Sequence, residues 1–172
     1  FGYNKKISLS KLIKTDNEIH GIILKGVDKD YNWNYINSNL TLGNIPQYTD
    51  DECSNDVVIS KIIADKLLLN VGDDVRIWFV GEDMKTRGRK FSVKGIYETG
   101  LTECDERFIY CDLNQIRRLN GWGNDYVGHL EIQLEDNVEV NEANNFIYYS
   151  IPTNLVSYAT RELYPHIFDW LD

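Results

Sequence analysis

An α+β domain is predicted by three observations: short apolar strands that pair across polar turns as hairpins, isolated helices with their own start and stop signals, and a 42% hydrophobic content over 172 residues. That length suits one ordinary domain or two small lobes sharing a core, and it needs no staples. Residues Ile7 to Leu12 and His20 to Leu24 read as strands joined by the turn-forming stretch Lys14-Thr15-Asp16-Asn17-Glu18. Tyr31, Tyr35, Ile36 and Leu40 recur at helical spacing, with Gly43 and Pro46 ending the run. Val57-Val58-Ile59 is a buried-looking strand, and Ser60 caps a helix whose apolar face is Ile62, Ile63, Ala64 and Leu67. Asn70 is the expected left-handed closing residue, with Gly72, Asp73 and Asp74 turning the chain into strand Val75 to Val80.

A polar connection from Gly81 to Gly88 leads to a β-rich segment with Phe91, Val93 and Ile96, so the pair reads as a two-stranded ribbon with a long tip. Asp112 and Gln115 form a capping box for a helix that buries Leu113, Ile116 and Leu119, places Arg117 and Arg118 at its negative end, and stops at Gly121. Leu130, Ile132 and Leu134 alternate with Glu131, Gln133 and Glu135, which predicts a strand with one buried and one wet face. A helix over 140–149, a strand over 155–158 and an amphipathic helix over 160–171, carrying Leu163, Ile167, Trp170 and Leu171, complete the chain.

The formal charge of −9 disfavours polyanionic partners, because a nucleic-acid binder draws its affinity from cations that neutralise phosphates. Acid residues gather at Asp50, Asp51, Glu52 and Asp56 and again at Glu103, Asp105 and Glu106, and both runs read as solvated loop faces. Cys53, Cys104 and Cys111 show no CxxC spacing and cannot all pair within one chain. Cys111 suits a small buried role, and a Cys104–Cys111 bridge stays open in an oxidising compartment. No apolar stretch approaches the roughly 18 residues a membrane span needs. The opening Phe1, with no leader after it, reads as the edge of a piece cut from something larger.

Phosphate loops, nucleophile elbows, zinc-protease and EF-hand patterns are missing, and His20, His129 and His166 lie far apart. No catalytic, cofactor-binding or metal-ligating residue is assigned. Most of the four tryptophans and eleven tyrosines read as core or half-core residues, although Tyr31, Trp33 and Tyr35, or Trp122 and Tyr126, could line a sugar or peptide surface. The one compact basic element, Lys85, Arg87, Arg89 and Lys90, sits at the tip and return of the predicted ribbon; Lys85, Arg87 and Arg89 are the candidate partner-binding residues.

The order of several segments resembles a known family. Ile23-Leu24-Lys25-Gly26-Val27-Asp28 with Tyr31-Asn32-Trp33 and Leu42-Gly43-Asn44-Ile45-Pro46 is similar to a passage of FtsX-like ABC-transporter permeases. The strand and helix from Val58 to Leu67, the turn Val71-Gly72-Asp73, and Phe91-Ser92-Val93 leading to Gly95-Ile96 resemble the MacB-like periplasmic core domain in its LolC/LolE-like branch. The closing run Arg161 to Leu171 looks like the approach to a membrane helix in these permeases.

The resemblance implies a two-lobed extracytoplasmic domain, with a Porter-like lobe over 1–25 and 127–172 and an inserted Sabre-like lobe over 26–126. It implies a non-catalytic module at the periplasmic face of the bacterial inner membrane that relays ATP-driven movement. The implied partners are a cytoplasmic ABC ATPase, a second permease copy or paralogue, and a periplasmic carrier or lipoprotein, with no cofactor and no nucleic acid. Lipoprotein release, efflux and hydrolase regulation all occur in the family. The competing reading is a free-standing extracytoplasmic sugar- or peptide-binding module, resting on the aromatics.

Overall fold

The computed structural model describes residues 2–14, 19–80, 86–135, 138–163 and 165. The expected hairpin opens the chain: β1 (Gly2–Lys14) and β2 (Ile19–Val27) pair antiparallel from Lys14↔Ile19 to Lys6↔Val27. Its turn, 15–18, lies outside the described residues. The helix expected from Tyr31 to Leu40 is only α1 (Asn34–Ser38), and Leu40–Gly43 is instead strand β3. Helical spacing there is a coincidence of sequence. Ile36 is the buried member of α1, while the backbone of Leu40 is drawn into pairing with Tyr97.

β4 (Asp56–Ser60) runs directly into α2 (Lys61–Leu67), where the Ser60 hydroxyl accepts from the Ile63 amide at 3.1 Å and donates to the Asp105 carbonyl. Ile63, Ala64 and Leu67 are buried as expected, and Ile62 is half-buried. The helix closes on Leu68 rather than Asn70: Leu68 has φ 55°, and the Leu69 amide reaches back to the Ala64 carbonyl at 2.9 Å. Leu69 packs against the core, so the chain must turn one residue after Leu67, and a non-glycine residue accepts a left-handed conformation that costs about 1 kcal/mol. Asn70 serves the following turn, its amide donating to the Asp73 carboxylate at 2.7 Å.

β5 (Asp74–Val80) and β6 (Thr86–Tyr97) form the predicted ribbon, and residues 81–85 of its connection lie outside the described residues. After the short helix α3 (Thr102–Asp105) come β7 (Phe108–Asp112) and α4 (Leu113–Asn120), the latter closing on Gly121 at φ 67° as expected. Asp112 caps α4 by accepting from the Asn114 amide at 2.9 Å. Gln115 does not complete a capping box; its amide nitrogen instead reaches the Ser54 carbonyl at 3.0 Å and Asn55 Oδ1 at 2.5 Å, tying a distant loop to the helix.

The strand pairings close on themselves. β2 pairs with β7 in parallel, β7 with β4 antiparallel, β4 with β6 in parallel, β6 with β5 antiparallel, β5 with β1 antiparallel, and β1 returns to β2. Within this mixed circuit β4 and β7 are covered on both faces, which is why Val57-Val58-Ile59 and Phe108 to Cys111 are unbroken apolar runs. Val57, Ile59, Ile109 and Cys111 point into a cluster with Ile63, Ile77, Phe91 and Ile116, whereas Val58, Phe108 and Tyr110 join Val27, Ile36, Tyr48 and Tyr97 on the other side. Gly26 lets α4 lie close on β2, since a Cβ there would stand 2.7 Å from Ile116 Cδ1 and 3.1 Å from Leu113 Cα. All three cysteines are free, with Cys111 fully buried, so the Cys104–Cys111 bridge is not formed.

The acidic run around Asp105 departs from the solvated reading. Asp105 is buried, and its carboxylate accepts from the Thr99 amide (2.9 Å), the Thr99 hydroxyl (2.7 Å) and the Gly100 amide (3.2 Å). It organises the chain after β6 rather than facing water.

By internal contacts the chain divides into one unit over Tyr3–Glu131 and another comprising Phe1–Gly2 with Ile132–Asp172. β8 (His129–Gln133) is exposed at every position, Leu130 and Ile132 included, where alternation predicts one buried face. The helix expected over 140–149 is α5 (Val140–Ser150). Residues 155–158 are irregular rather than a strand, and α6 (Thr160–Leu163) falls at the start of the expected last helix. Ile167, Trp170 and Leu171 lie outside the described residues.

Candidate partner-contact ribbon

The β5–β6 ribbon owes its form to an alternation hidden inside an apolar run. In Val75-Arg76-Ile77-Trp78-Phe79, the odd-numbered residues are buried, and antiparallel pairing sets each residue across from a same-face partner. Val75 opposes Phe91, and both are buried, which anchors the base of the ribbon in the core. Further out, Ile77 opposes Arg89 and Phe79 opposes Arg87. Arg87 and Arg89 thus share the face of two buried apolar side chains while being exposed themselves.

Lys90 belongs to the opposite face. It opposes Arg76 and pairs with Asp74 at 2.7 Å, an exposed contact worth under about 1 kcal/mol that nevertheless offsets its charge. On this face Trp78 opposes Gly88, where a Cβ would come within 3.1 Å of the indole and of Arg76 Cδ. Gly88 makes room for the ring, and the Arg76 guanidinium lies 5.9 Å from its centre.

The basic cluster read from sequence as one element is therefore split by the pleat: Arg87 and Arg89 on one face, Lys90 with Arg76 on the other. Lys85 lies outside the described residues. Sequence reasoning missed Arg76 and Trp78 because they sit within an apolar stretch, although their alternation with Val75, Ile77 and Phe79 carried the signal. Arg89 also acts beyond the ribbon. Burial pushes the Cys53 thiol up from its ordinary pKa, Asp112 adds to this, and the positive charges of Arg118 and Arg89 pull the other way.

Of the aromatics singled out in the sequence, Tyr31, Trp33 and Trp122 are half-buried, while Tyr35 and Tyr126 are exposed. Trp33 stands 4.9 Å from Tyr31, 5.7 Å from Tyr110 and 6.1 Å from Tyr48, and Tyr97 meets Tyr110 at 5.8 Å. Burial and the Glu131 charge push the Tyr31 phenol up to about 12. His20 bonds through its ring nitrogen to the Glu106 carbonyl at 2.8 Å, a link between β2 and the segment before β7.

No family model matches the chain, and no curated protein matches its sequence. Solved structures do match. The periplasmic region of MacB from Actinobacillus actinomycetemcomitans aligns over 87% of this chain and 65% of its own, at 15% identity and a TM-score of 0.57. The extracellular domain of the noncanonic ABC-type transporter YknZ from Gram-positive bacteria aligns over 83% of this chain and 69% of its own, at 19% identity and a TM-score of 0.55. The chain spans about two thirds of each of these domains. At such identities the likeness is one of fold, and it agrees with the order of segments read from the sequence: this chain carries the MacB-like periplasmic-domain fold.

Proposed function

We propose that this chain is the extracytoplasmic domain of an ABC-transporter permease, a non-catalytic module that relays movement driven by a cytoplasmic ATPase and contacts a partner at the β5–β6 ribbon. The observation that carries the reading is the fold shared with the periplasmic region of MacB and with the extracellular domain of the ABC-type transporter YknZ. In this reading residues 1–25 and 127–172 form a Porter-like lobe and 26–126 an inserted Sabre-like lobe, and the whole protein sits in the bacterial inner membrane beside a second permease copy or paralogue. Lipoprotein release to a periplasmic carrier is the branch the sequence resembles.

The ribbon is the natural contact because its base is locked by Val75 and Phe91 while Arg87 and Arg89 are held out from an acidic chain. Replacing Lys85, Arg87 and Arg89 together with Ser is expected to cut recovery of envelope partners at least fivefold at low salt, less at moderate salt, with an unchanged melting curve. Equal recovery of the same partners by both proteins at both salt levels removes the ribbon as the contact. The sugar- or peptide-binding alternative loses ground at Tyr31 and Trp33, whose rings are taken up by contacts with Tyr110 and Tyr48.

A further inference from the structure

Away from the ribbon tip, the loop between β3 and β4 and the last turns of α4 border an open cleft of about 250 Å³. Asp51 and Glu52 line one side, Arg117, Arg118 and Trp122 the other, and half-buried Cys53 also borders it. Opposite charges so near normally collapse into ion pairs. Here neither carboxylate pairs with either arginine among the described residues.

The reason lies in how each wall is fastened. The acidic loop is tied to α4 on both sides of its charges, by Asn114 Nδ2 to the Thr49 carbonyl (3.1 Å), the Ser54 amide to Asp112 Oδ2 (2.7 Å) and Gln115 Nε2 to the Ser54 carbonyl (3.0 Å). Asp50, also on this wall, has its carboxylate paired with Lys29. On the facing side, Arg117 is held by the Tyr126 carbonyl (3.0 Å) and Asn114 Oδ1 (3.1 Å), and Trp122 stacks on Tyr126 at 5.0 Å while packing against the core. The loop backbone, Arg117 and Trp122 are thus fixed before a ligand arrives, which lowers the ordering cost of binding.

We propose that this cleft binds a small zwitterion of dipeptide size, its ammonium toward Asp51 and Glu52, its carboxylate toward Arg118, and its apolar part against Trp122. The size follows from the volume, which lies just below the roughly 300–1,000 Å³ of pockets for drug-sized ligands. A compound carrying one charge satisfies one wall and is repelled by the other, so the two walls together select dipolar ligands. Because the charges are solvent-exposed, the affinity is modest, with a Kd on the order of 1 mM.

The test titrates the whole 172-residue chain with glycyl-leucine, its N-acetyl derivative and its C-terminal amide, following backbone amide shifts by NMR. Saturable shifts clustered at 51–53, 117–118 and 122 are expected for the free dipeptide, with at least fivefold weaker binding of both blocked forms. Arg118→Gln and Glu52→Gln should each weaken binding at least threefold without altering the melting temperature. No saturation by tens of millimolar, equal binding of the blocked forms, or shifts centred elsewhere would overturn the proposal. The dipeptide titration reads the cleft by its own residue shifts and the ribbon test reads partner recovery, so failure of either experiment leaves the other reading standing.

Discussion

The segment from Tyr3 to about Gly121 and the segment from His129 onward are written in the same amphipathic patterns but meet different fates. In the first, strands β4 and β7 are covered on both faces, and Val57, Ile59, Ile109 and Cys111 are fully shielded from water. In the second, every residue of β8 is exposed, α5 buries only Ala143 among its residues, and Phe146 and Tyr149 are 67% and 84% exposed. Periodicity reports which face of an element is apolar; it does not report whether anything lies against that face.

The contrast can be broken most directly by cutting equivalent apolar groups in the two segments. Ile59→Ala removes a side chain enclosed by the strands and by α2, and should cost about 3 kcal/mol in urea unfolding. A loss under about 1 kcal/mol would mean that the circuit is looser than its packing indicates.

A second, smaller effect reads the aromatic side of the same core through pH. The Tyr31 phenol titrates near 12 in the folded chain against 10 as its ordinary value, so the unfolded chain releases its proton first. Stability from this group is complete below pH 10 and is lost as pH rises through 12, amounting to on the order of 2 kcal/mol. Tyr48, Tyr97 and Tyr110 are raised in the same direction by burial. Urea midpoints measured from pH 8 to 12 should therefore fall more steeply for the wild type than for Tyr31→Phe. Parallel curves would place Tyr31 in a wetter setting than its contacts imply.

The smallest effect belongs to the exposed segment. Phe146→Ala should change stability by less than about 0.5 kcal/mol, because a ring already in water has little burial to lose. A loss near that of Ile59→Ala would show that α5 is covered in solution.

What could be read from sequence was mostly local. The Ser60 cap, the Asp112 cap with its Gly121 stop, and the opening hairpin each depend on residues a few positions apart. The misreadings share a different cause. Leu40–Gly43 is a strand because β6 offers an edge far along the chain, Gln115 leaves its own helix for Ser54 and Asn55, and Asp105 is buried to hold Thr99 and Gly100. None of these partners is visible to a local pattern. The candidate contact was legible as a set of charges, while its division between two faces needed the register of β5 on β6.

The closed circuit bears on how the domain behaves when crowded. At its centre β4 and β7 each lie between two partner strands, leaving them few backbone donors and acceptors to template a foreign strand. β3, added outside on β6, is four residues long, irregular in register between Leu40 and Leu42, and cut off by Gly43, whose Cβ position would fall 2.3 Å from the Lys94 carbonyl. A bulged and abruptly ended strand is a poor seed for intermolecular sheet, so this part of the chain is protected against aggregation by its own topology.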